Sequence, residues 1–418
     1  MKAEIIAVGS ELLTPDRQDT NSLFLTAQLN RLGIEVVRKT IVGDDAEILG
    51  RAFRAAMEGA DVVIASGGLG PTEDDLTREA LAAVLRHPLV QNDEILKDIE
   101  TKFARFGRPM PQINAKQALV PVGATVLPNP RGTAPGLWVE DGKRLVILLP
   151  GPPAELEPMF AEQVAPRLEP RSAGPRLYTR DLRTTGLGES AVDQAIAPIY
   201  KGYRDIQTTL LHVPGEIQIH LRLWSEDTAA AVRRLDEIVE RIARALGDIL
   251  FTTNGEDMEE VVARELTWHG ATIAVAESCT GGMLGERLTR LAGSSSHFAG
   301  GVISYSNDLK SALLDVPQEL IETKGAVSAE VALAMAQGVR RRSAATLGLA
   351  VTGIAGPTGA TEEKPVGTVH IALADANGAK EKVFRFPGDR SRIRAQATVA
   401  AMDMVRRYFL RARSPAGQ

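Results

Sequence analysis

The segment DVVIASGGLGPTEDDLT (61–77) largely decides the fold of the first half of the chain. Its apolar start predicts a buried strand at 61–65 that runs into a loop of closely spaced glycines. Glycines let backbone N–H groups approach an anion, so phosphate or pyrophosphate is the expected ligand. Asp74 and Asp75 would repel a bare phosphate, and they are explained if a divalent cation bridges them to it. In the alternative interpretation, Thr72, Asp74 and Asp75 only cap a helix.

The sequence around this segment alternates between predicted strands and helices. Apolar runs before it predict strands at 4–8 and 35–42, and helical spacing predicts helices at 20–32 and 48–57. A further strand is predicted at 144–149, followed by the turn PGPP. Such alternation is typical of an α/β domain with a parallel or mixed sheet and helices on both faces.

The rest of the chain is predicted to form two more domains. PRLEPRSAGP (166–175) is rich in Pro, Arg, Gly and Ser and predicts a linker. Strands at 176–185 and 216–223 with a helix at 229–246 then predict a small α+β domain, and the remainder is α/β again. The predicted domains are 1–168, 174–252 and 256–413, the last with strands at 272–276, 347–352 and 366–373 and helices at 329–342 and 392–411.

Composition excludes several classes of protein. The 418 residues are 44% hydrophobic and 24% charged, which is typical of a chain with sizeable apolar cores. A net charge of −5 without a long basic run, and only 4% aromatic residues, argue against a nucleic-acid binder. No apolar stretch approaches the roughly 18 residues that cross a bilayer. The single cysteine, Cys279, excludes an internal disulfide and Cys-pair zinc sites, so a cytoplasmic protein is expected.

Three other segments are expected to converge on the first glycine loop, namely 9–11, 43–45 and NPRGTAPG (129–136). In parallel sheets, ligands bind outside the carboxyl ends of the strands, where the first two segments fall. Acidity and placement suggest Glu11, Asp44, Asp45, Asp74 and Asp75 for metal and water handling. The candidate substrate-binding residues here are Gly67, Gly68, Gly70, Pro71, Thr72, Gly132 and Thr133.

A second motif, AESCTGGMLGERL (276–288), places Ser278, Cys279 and Thr280 on a turn between a strand and a helix. Each of the three side chains is a possible nucleophile, and backbone N–H groups at the start of the helix suit an oxyanion. In the alternative interpretation, Ser278 and Thr280 only cap that helix.

The segment GGVISYSNDLK (300–310) supplies possible activating groups for a nucleophile. Lys310 is a base for Ser278 if burial lowers its pKa, either directly or through Tyr305, which makes Ser-Tyr-Lys the most economical arrangement. Cys279 is the rival nucleophile, although the sequence offers it no neighbouring histidine. Lys310 as an ordinary solvated lysine is the alternative.

The third motif, TGIAGPTGATEEKPVGT (352–368), is another strand that ends in a glycine-rich loop. Its hydroxyls and backbone amides suit a phosphate or shape a pocket. The candidate substrate-binding residues of this half come from this loop and from the turn of the second motif. They are Cys279, Thr280, Gly281, Gly282, Thr352, Gly353, Gly356 and Thr358.

These motifs together resemble a known family. The first glycine loop, its companion segments, KQA (116–118) and LPGPPAE (149–155) resemble the molybdopterin-binding fold and, more closely, the N-terminal domain of the CinA family of competence-damage-inducible proteins. AESCTGG, SYSN, Lys310, KGAVS (324–328) and the 352–368 loop resemble its C-terminal domain across 258–411. One difference is TPDRQ (14–18), where family members commonly carry a glycine-containing loop.

The resemblance implies a bifunctional enzyme of pyridine-nucleotide salvage. The N-terminal half would be an ADP-ribose pyrophosphatase that needs a divalent metal ion and yields AMP and ribose 5-phosphate. The C-terminal half would deamidate nicotinamide mononucleotide to nicotinic acid mononucleotide and ammonia without a cofactor. Ser278 aligns with the nucleophile of the family, and Tyr305 and Lys310 align with its activating partners.

The middle segment resembles the small KH-like linking domain of this family. GLGE (186–189) does not supply the GXXG loop with which KH domains hold RNA, so we expect a structural role and a homodimer. The competing hypothesis is an accessory protein that holds a pterin or nucleotide without turnover and assembles with competence or recombination proteins.

Overall fold

The computed structural model describes residues 1–105, 107–172 and 174–413. The chain packs as two compact units, one comprising Met1–Tyr178 with Trp224–Thr228 and the other Thr179–Leu223 with Ala229–Gln418. Most of the segment predicted as the middle domain belongs to the same unit as the predicted last domain, whereas 174–178 and 224–228 belong to the first unit. The division into three domains stays a prediction.

The first unit is built on a mixed six-stranded sheet with the order β2-β1-β3-β8-β7-β6. Strands β1, β2, β3 and β8 run parallel, whereas β7 and β6 each pair antiparallel with their neighbour. A two-stranded antiparallel sheet, β4-β5, stands beside it. The strands are β1 (Lys2–Val8), β2 (Glu35–Val42), β3 (Val62–Ser66), β4 (Leu89–Gln91), β5 (Leu119–Pro121), β6 (Thr125–Leu127), β7 (Gly136–Asp141) and β8 (Arg144–Leu149).

Both faces of this sheet are buried because apolar residues occupy most positions of its central strands. In β1, Ile6 and Val8 contribute to one hydrophobic cluster, whereas Ala3 and Ile5 contribute to the other. This alternation follows from the two-residue period of a strand, and it requires helices on both sides. The helices are α1 (Asn21–Arg31), α2 (Ala46–Gly59), α3 (Thr77–Leu85), α4 (Asp93–Arg105), α5 (Pro153–Met159) and α6 (Ala165–Leu168).

The second unit contains two sheets. The four-stranded sheet has the order β10-β11-β9-β12, and the five-stranded sheet has the order β14-β13-β15-β16-β17, in which β14, β13 and β15 run parallel and β16 and β17 are antiparallel. The strands are β9 (Arg176–Thr185), β10 (Ile206–Val213), β11 (Glu216–Ser225), β12 (Leu250–Thr252), β13 (Ile273–Glu277), β14 (Phe298–Ile303), β15 (Leu347–Gly353), β16 (Thr368–Asp375) and β17 (Gly378–Arg385).

Side-chain size distinguishes the two faces of the five-stranded sheet. Large residues such as Ile273 and Val275 belong to the cluster that includes α9 and α14, whereas small residues such as Ala274 and Ala276 belong to the cluster that includes α13. Small side chains let a helix approach the sheet closely. The helices are α7 (Glu189–Tyr200), α8 (Thr228–Leu246), α9 (Met258–Trp268), α10 (Met283–Thr289), α11 (Asn307–Leu314), α12 (Gln318–Lys324), α13 (Ala329–Ser343) and α14 (Arg390–Arg413).

The predicted linker at 166–175 is partly wrong. Its first residues continue a helical segment through Ala165–Leu168 and Glu169–Arg171, because Leu168 is fully buried and anchors the segment to the core of the first unit. Within the described residues, no helix is both long enough and apolar enough to span a bilayer.

Candidate active sites

The turn after β13 presents Ser278 at the carboxyl end of an interior strand of the five-stranded sheet. The backbone N–H of Ser278 donates to Val351 O at 2.9 Å, and Gly281 N closes the turn by donating to Ser278 O. Gly281 and Gly282 have φ values of +58° and +96°, a left-handed conformation that disfavours residues with a Cβ. Neither Ser278 nor Thr280 caps the following helix, because the N-cap of α10 is Gly282 without a side-chain bond. The capping interpretation of this motif is therefore wrong.

Lys310 contacts the candidate nucleophile directly. Its Nζ lies 3.2 Å from Ser278 Oγ and donates to Ser304 O at 2.8 Å. Lys310 lies in the first turn of α11, whose N-cap Ser306 accepts a bond from Leu309 N, and only 1% of the residue is exposed. Burial lowers the pKa of the Lys310 amine. A buried lysine beside a serine hydroxyl suits a general base, so the solvated-lysine alternative is wrong.

Glu277, which the sequence did not single out, organises the turn from beneath. Its buried carboxylate accepts bonds from the backbone N–H groups of Gly282 and Leu284 at Oε2 and of Gly285 at Oε1, at 2.8–3.1 Å. A carboxylate at the N-terminus of a helix also interacts favourably with the helix dipole. Glu277 thus holds α10 against the turn that carries Ser278.

Replacing Glu277 with glutamine tests this role. The amide keeps the size of the side chain but removes its charge and turns one acceptor into a donor, so we expect the unfolding free energy to fall by about 2 kcal/mol. Urea unfolding measures this change. Glu286→Gln is the matched control, because Glu286 is an exposed residue of the same helix that pairs with Arg290, and it should change stability little. Equal stability of the two variants would contradict the role given to Glu277.

The hydrogen bonds within the turn after β13 reduce the number of backbone N–H groups that could bind an oxyanion. The backbone amides that follow Ser278 in the turn are those of Cys279, Thr280, Gly281 and Gly282. Of these, Gly281 N donates to Ser278 O and Gly282 N donates to Glu277. The backbone N–H groups of Cys279 and Thr280 have no acceptor among the described residues. These two groups are therefore the candidate oxyanion donors.

Cys279 is a poor nucleophile in this environment. It is 5% exposed, and burial raises the pKa of its thiol to about 12. The thiolate is the reactive form of cysteine, so the thiol stays protonated and unreactive near neutral pH.

Tyr305 lies at the rim of the site rather than beside the reacting hydroxyl. Its side chain is exposed, and its hydroxyl accepts a bond from Arg390 Nη2 at 2.5 Å. Arg390 also donates to Gly356 O, so it joins Tyr305 to the glycine-rich loop that follows β15. In the described part of the chain Tyr305 makes no hydrogen bond to Ser278 or Lys310, which leaves the direct contact as the route for proton transfer.

The other candidate residues of the 352–368 loop differ in accessibility. Thr352 is fully buried and its hydroxyl donates to Ala326 O, so this side chain has a structural role. Gly353 and Gly356 have no room for a Cβ, which would meet Thr368 O at 2.9 Å and Val366 Cγ1 at 2.7 Å respectively. Thr358 is exposed at the tip of the loop and stays a candidate ligand residue.

Two arginines that the sequence analysis missed approach this site from α14. Arg390 contacts Tyr305, and Arg394 donates to Thr280 O from Nη2 at 2.6 Å. The only signal in the sequence is the arginine-rich start of the last helix, GDRSRIRA (388–395), which by itself reads as a solvated face.

In the first unit, buried and half-buried side chains hold the first glycine loop in place. A Cβ on Gly67, whose φ is +101°, would lie 2.2 Å from Val8 O. Thr77 Oγ1 donates to Gly67 O, and the buried Arg78 donates to Leu69 O and Gly70 O. Lys116 donates to the carbonyl oxygens of Thr72 and Asp75. The loop is therefore a fixed backbone cradle, as an anion site requires.

The acidic residues of this loop do not cap α3. The N-cap of α3 is Leu76, without a side-chain bond, so the capping alternative for Thr72, Asp74 and Asp75 is wrong. Instead, Asp75 Oδ2 accepts bonds from the backbone N–H and the hydroxyl of Thr72. Hydrogen bonding from Thr72 also lowers the pKa of Asp74, so its carboxylate is ionised near neutral pH.

The structure does not gather the predicted metal ligands into one group. Asp44 accepts a bond from Ser10 N, which confirms that the ends of β1 and β2 meet, but Asp45 caps α2 through Glu47 N and Ile48 N. The Glu11 carboxylate lies against Gly9, where an added Cβ would be only 2.6 Å from Glu11 Oε2. Among the residues that the structure describes, no group of three or more His, Cys, Asp or Glu side chains is arranged to hold a metal ion.

Asn129 organises the segment 129–136. Its Oδ1 accepts bonds from the backbone N–H groups of Arg131 and Gly132, and its Nδ2 donates to Ala134 O and to Glu155 Oε2. A Cβ on Gly132 would lie 2.1 Å from Glu155 Oε2. Thr133 sits in this ordered turn, and its role as a ligand residue stays a prediction.

Fold and sites together define an α/β protein with a molybdopterin-binding-like first half, and comparison with known proteins agrees. Residues 4–170 match the probable molybdopterin binding domain, 179–252 the damage-inducible protein CinA KH domain, and 255–409 the CinA C-terminal domain.

Full-length relatives identify the family. A CinA-like protein of Solibacter usitatus is 49% identical over 407 residues, which cover 97% of this chain and 98% of the relative. A putative competence-damage inducible protein of Symbiobacterium thermophilum is 44% identical over 424 residues, which cover 98% of this chain and 99% of the relative. The chain belongs to the CinA family.

Proposed function

We propose that the C-terminal half is an amidohydrolase that converts nicotinamide mononucleotide to nicotinic acid mononucleotide and ammonia. The contact between the buried Lys310 amine and Ser278 Oγ carries this proposal. A lysine with a lowered pKa is neutral in a larger fraction of molecules, so it can accept the serine proton. The choice of nicotinamide mononucleotide as the substrate comes from the resemblance of this turn to the CinA family.

The proposed first chemical step uses the contact between Ser278 and Lys310. Ser278 Oγ attacks the carboxamide carbon while its proton passes to Lys310 Nζ. The carbonyl oxygen becomes an oxyanion that accepts bonds from the N–H groups of Cys279 and Thr280. Lys310 then returns the proton to the leaving nitrogen, and ammonia departs from the acyl ester on Ser278.

The second step regenerates the enzyme. Water attacks the ester carbon and gives its proton to Lys310, the carbon–oxygen bond to Ser278 breaks, and the proton returns to Ser278 Oγ. The carboxylic acid that forms loses its remaining proton to solvent, and the product leaves as a carboxylate. Apart from water, every group that these two reaction steps need is a side chain or a backbone amide of the chain. No cofactor is therefore assigned to this half.

The rim of the site suits the remainder of the nucleotide. Tyr305, Arg390 and the loop that holds Gly356 are joined by hydrogen bonds at one edge. We place the ribose phosphate here because arginine and glycine-loop amides are the groups that bind phosphate.

Ammonia release from nicotinamide mononucleotide by the full-length chain tests this function. A non-catalytic pterin-binding or nucleotide-binding accessory protein, which is the competing hypothesis, would release none.

We also propose that the N-terminal half hydrolyses ADP-ribose to AMP and ribose 5-phosphate. The support is the fixed backbone cradle around Gly67, Gly68 and Gly70, with the ionised Asp74 at its edge. Because the nearby carboxylates do not form a ligand group by themselves, we propose that a divalent cation arrives with the diphosphate.

Removal of divalent cations by a chelator should affect only one of the two proposed activities. Excess EDTA should abolish ADP-ribose hydrolysis, since the charges of the diphosphate and the carboxylates would repel each other without a cation. Deamidation in the same sample should be unchanged. Parallel assays of AMP and of ammonia measure both, and equal loss of the two activities would contradict the proposal of two independent sites.

A further inference from the structure

A large cavity within the second unit is separate from the candidate deamidase site. It has a volume of about 1270 Å³ and lies between the turn after β9, one side of α14 and strand β17. On α14 it is lined by Gln396, Ala400, Met404 and Arg411, which recur at helical spacing on one face. Neither Ser278 nor Lys310 lines it.

Strand β17 contributes cations to this cavity. It is an edge strand, and alternation along a strand places Lys380 and Lys382 on the same face as Phe384. Lys380, Lys382 and Arg385 are exposed lining residues, and Lys382 Nζ lies 5.0 Å from the centroid of the Phe384 ring. Arg411 adds a fourth cation from α14.

The acidic residues of the lining already have partners. Asp403 pairs with Arg406 and Arg407, Glu381 with His370, and Glu216 lies 3.9 Å from both Arg183 and Arg287. Asp375 accepts a bond from Asn377 N and interacts with the Tyr408 hydroxyl. In contrast, Lys380, Lys382, Arg385 and Arg411 have no acidic partner among the described residues. Asp375 is thus the one lining carboxylate without a cationic partner among the described residues, and four unpaired cations exceed it, so the unmatched charge of the cavity is positive.

Aromatic side chains accompany these cations. Phe384 and Phe386 are half-buried and stack with their ring centroids 5.3 Å apart, and Tyr408 lines the same cavity from α14. Aromatic rings together with cations are the groups that hold a base and its phosphates. Cavities for drug-sized ligands are about 300–1,000 Å³, so this one has room for a ligand of at least that size.

We propose that this cavity is a second nucleotide-binding site, which takes a nucleotide that carries a diphosphate. Lys380 and Lys382 hold the phosphates, and the aromatic residues of β17 and α14 contact the base. The site is distinct from the glycine loops of both proposed activities, and its occupancy does not depend on either reaction.

Calorimetric titration of the full-length chain with ADP tests the proposal. The double variant Lys380→Glu/Lys382→Glu should lose one ADP-binding event, with at least a tenfold weaker affinity at that site. Lys201→Glu/Arg233→Glu makes the same charge change at exposed positions of the second unit away from the cavity, and it should bind ADP as the wild type does. Circular dichroism checks that each variant is folded.

The number of ADP-binding events distinguishes this proposal from nucleotide binding by the N-terminal half. If the first unit also binds ADP, the wild type shows two events and the lysine variant one. If the first unit does not, the wild type shows one event and the lysine variant none. Identical titrations of the wild type and the folded lysine variant, or no binding to the wild type at millimolar ADP, would overturn the proposal.

Discussion

Replacement of Ser278 by alanine is expected to reduce the turnover of nicotinamide mononucleotide by roughly 10⁴-fold or more, since loss of a nucleophile removes the covalent route altogether. Among the described residues, Ser278 Oγ is the only side-chain hydroxyl hydrogen-bonded to the Lys310 amine. Alanine leaves Lys310 bonded to Ser304 O but removes the hydroxyl from which it would take a proton. The measurement is the initial rate of ammonia release at saturating substrate.

Two further variants make this test specific. Ser295→Ala removes an exposed hydroxyl and should leave the rate unchanged. Cys279→Ala should retain most of the activity, because a thiol whose pKa is raised to about 12 does not supply the nucleophile. Near-normal turnover by Ser278→Ala with loss in Cys279→Ala would reverse the assignment of the nucleophile.

Replacement of Lys310 by alanine should lower kcat by roughly 10³-fold, the usual scale for a general base. The wild-type rate should also depend on pH in a defined direction. Only the neutral amine accepts a proton, and burial lowers its pKa, so kcat should rise with pH through that lowered pKa and level off above it. The pH profile of kcat measures this, and the residual activity of the alanine variant should lack that rise.

Lys310→Arg distinguishes a base from a structural cation. Arginine keeps the positive charge and can still donate to Ser304 O, but its guanidinium does not lose a proton in proteins. The arginine variant should therefore be about as inactive as the alanine variant. Substantial turnover by Lys310→Arg, or a wild-type rate that is independent of pH, would show that Lys310 is not the base.

Much of the fold could be predicted because its central strands are short and strongly apolar. The strands at 35–42, 144–149 and 176–185 have the predicted bounds, and the alternation of strands and helices gave the mixed sheet of the first unit. Strands β10 and β17 were missed because their residues are mostly exposed or half-buried and carry many polar side chains. Edge strands of this kind lack the apolar run that marks a buried strand.

The sequence could predict those residues of the candidate deamidase site that lie within a recognisable motif. Ser278 and Lys310 lie at ends of elements that the sequence marks with glycines and a serine cap. Glu277, Arg390 and Arg394 were missed because their roles depend on backbone groups that only the folded chain brings within reach. In the first unit, Asp45 was assigned to a metal on its acidity and its placement after a strand, although the same residue is a good helix cap.

The most direct test of the central claim is the simultaneous measurement of ammonia and nicotinic acid mononucleotide released from nicotinamide mononucleotide by the purified full-length protein. The account predicts equal molar amounts of the two products in the presence of EDTA. Folded protein that forms neither product over many hours would contradict the assignment of Ser278 and Lys310 to this reaction.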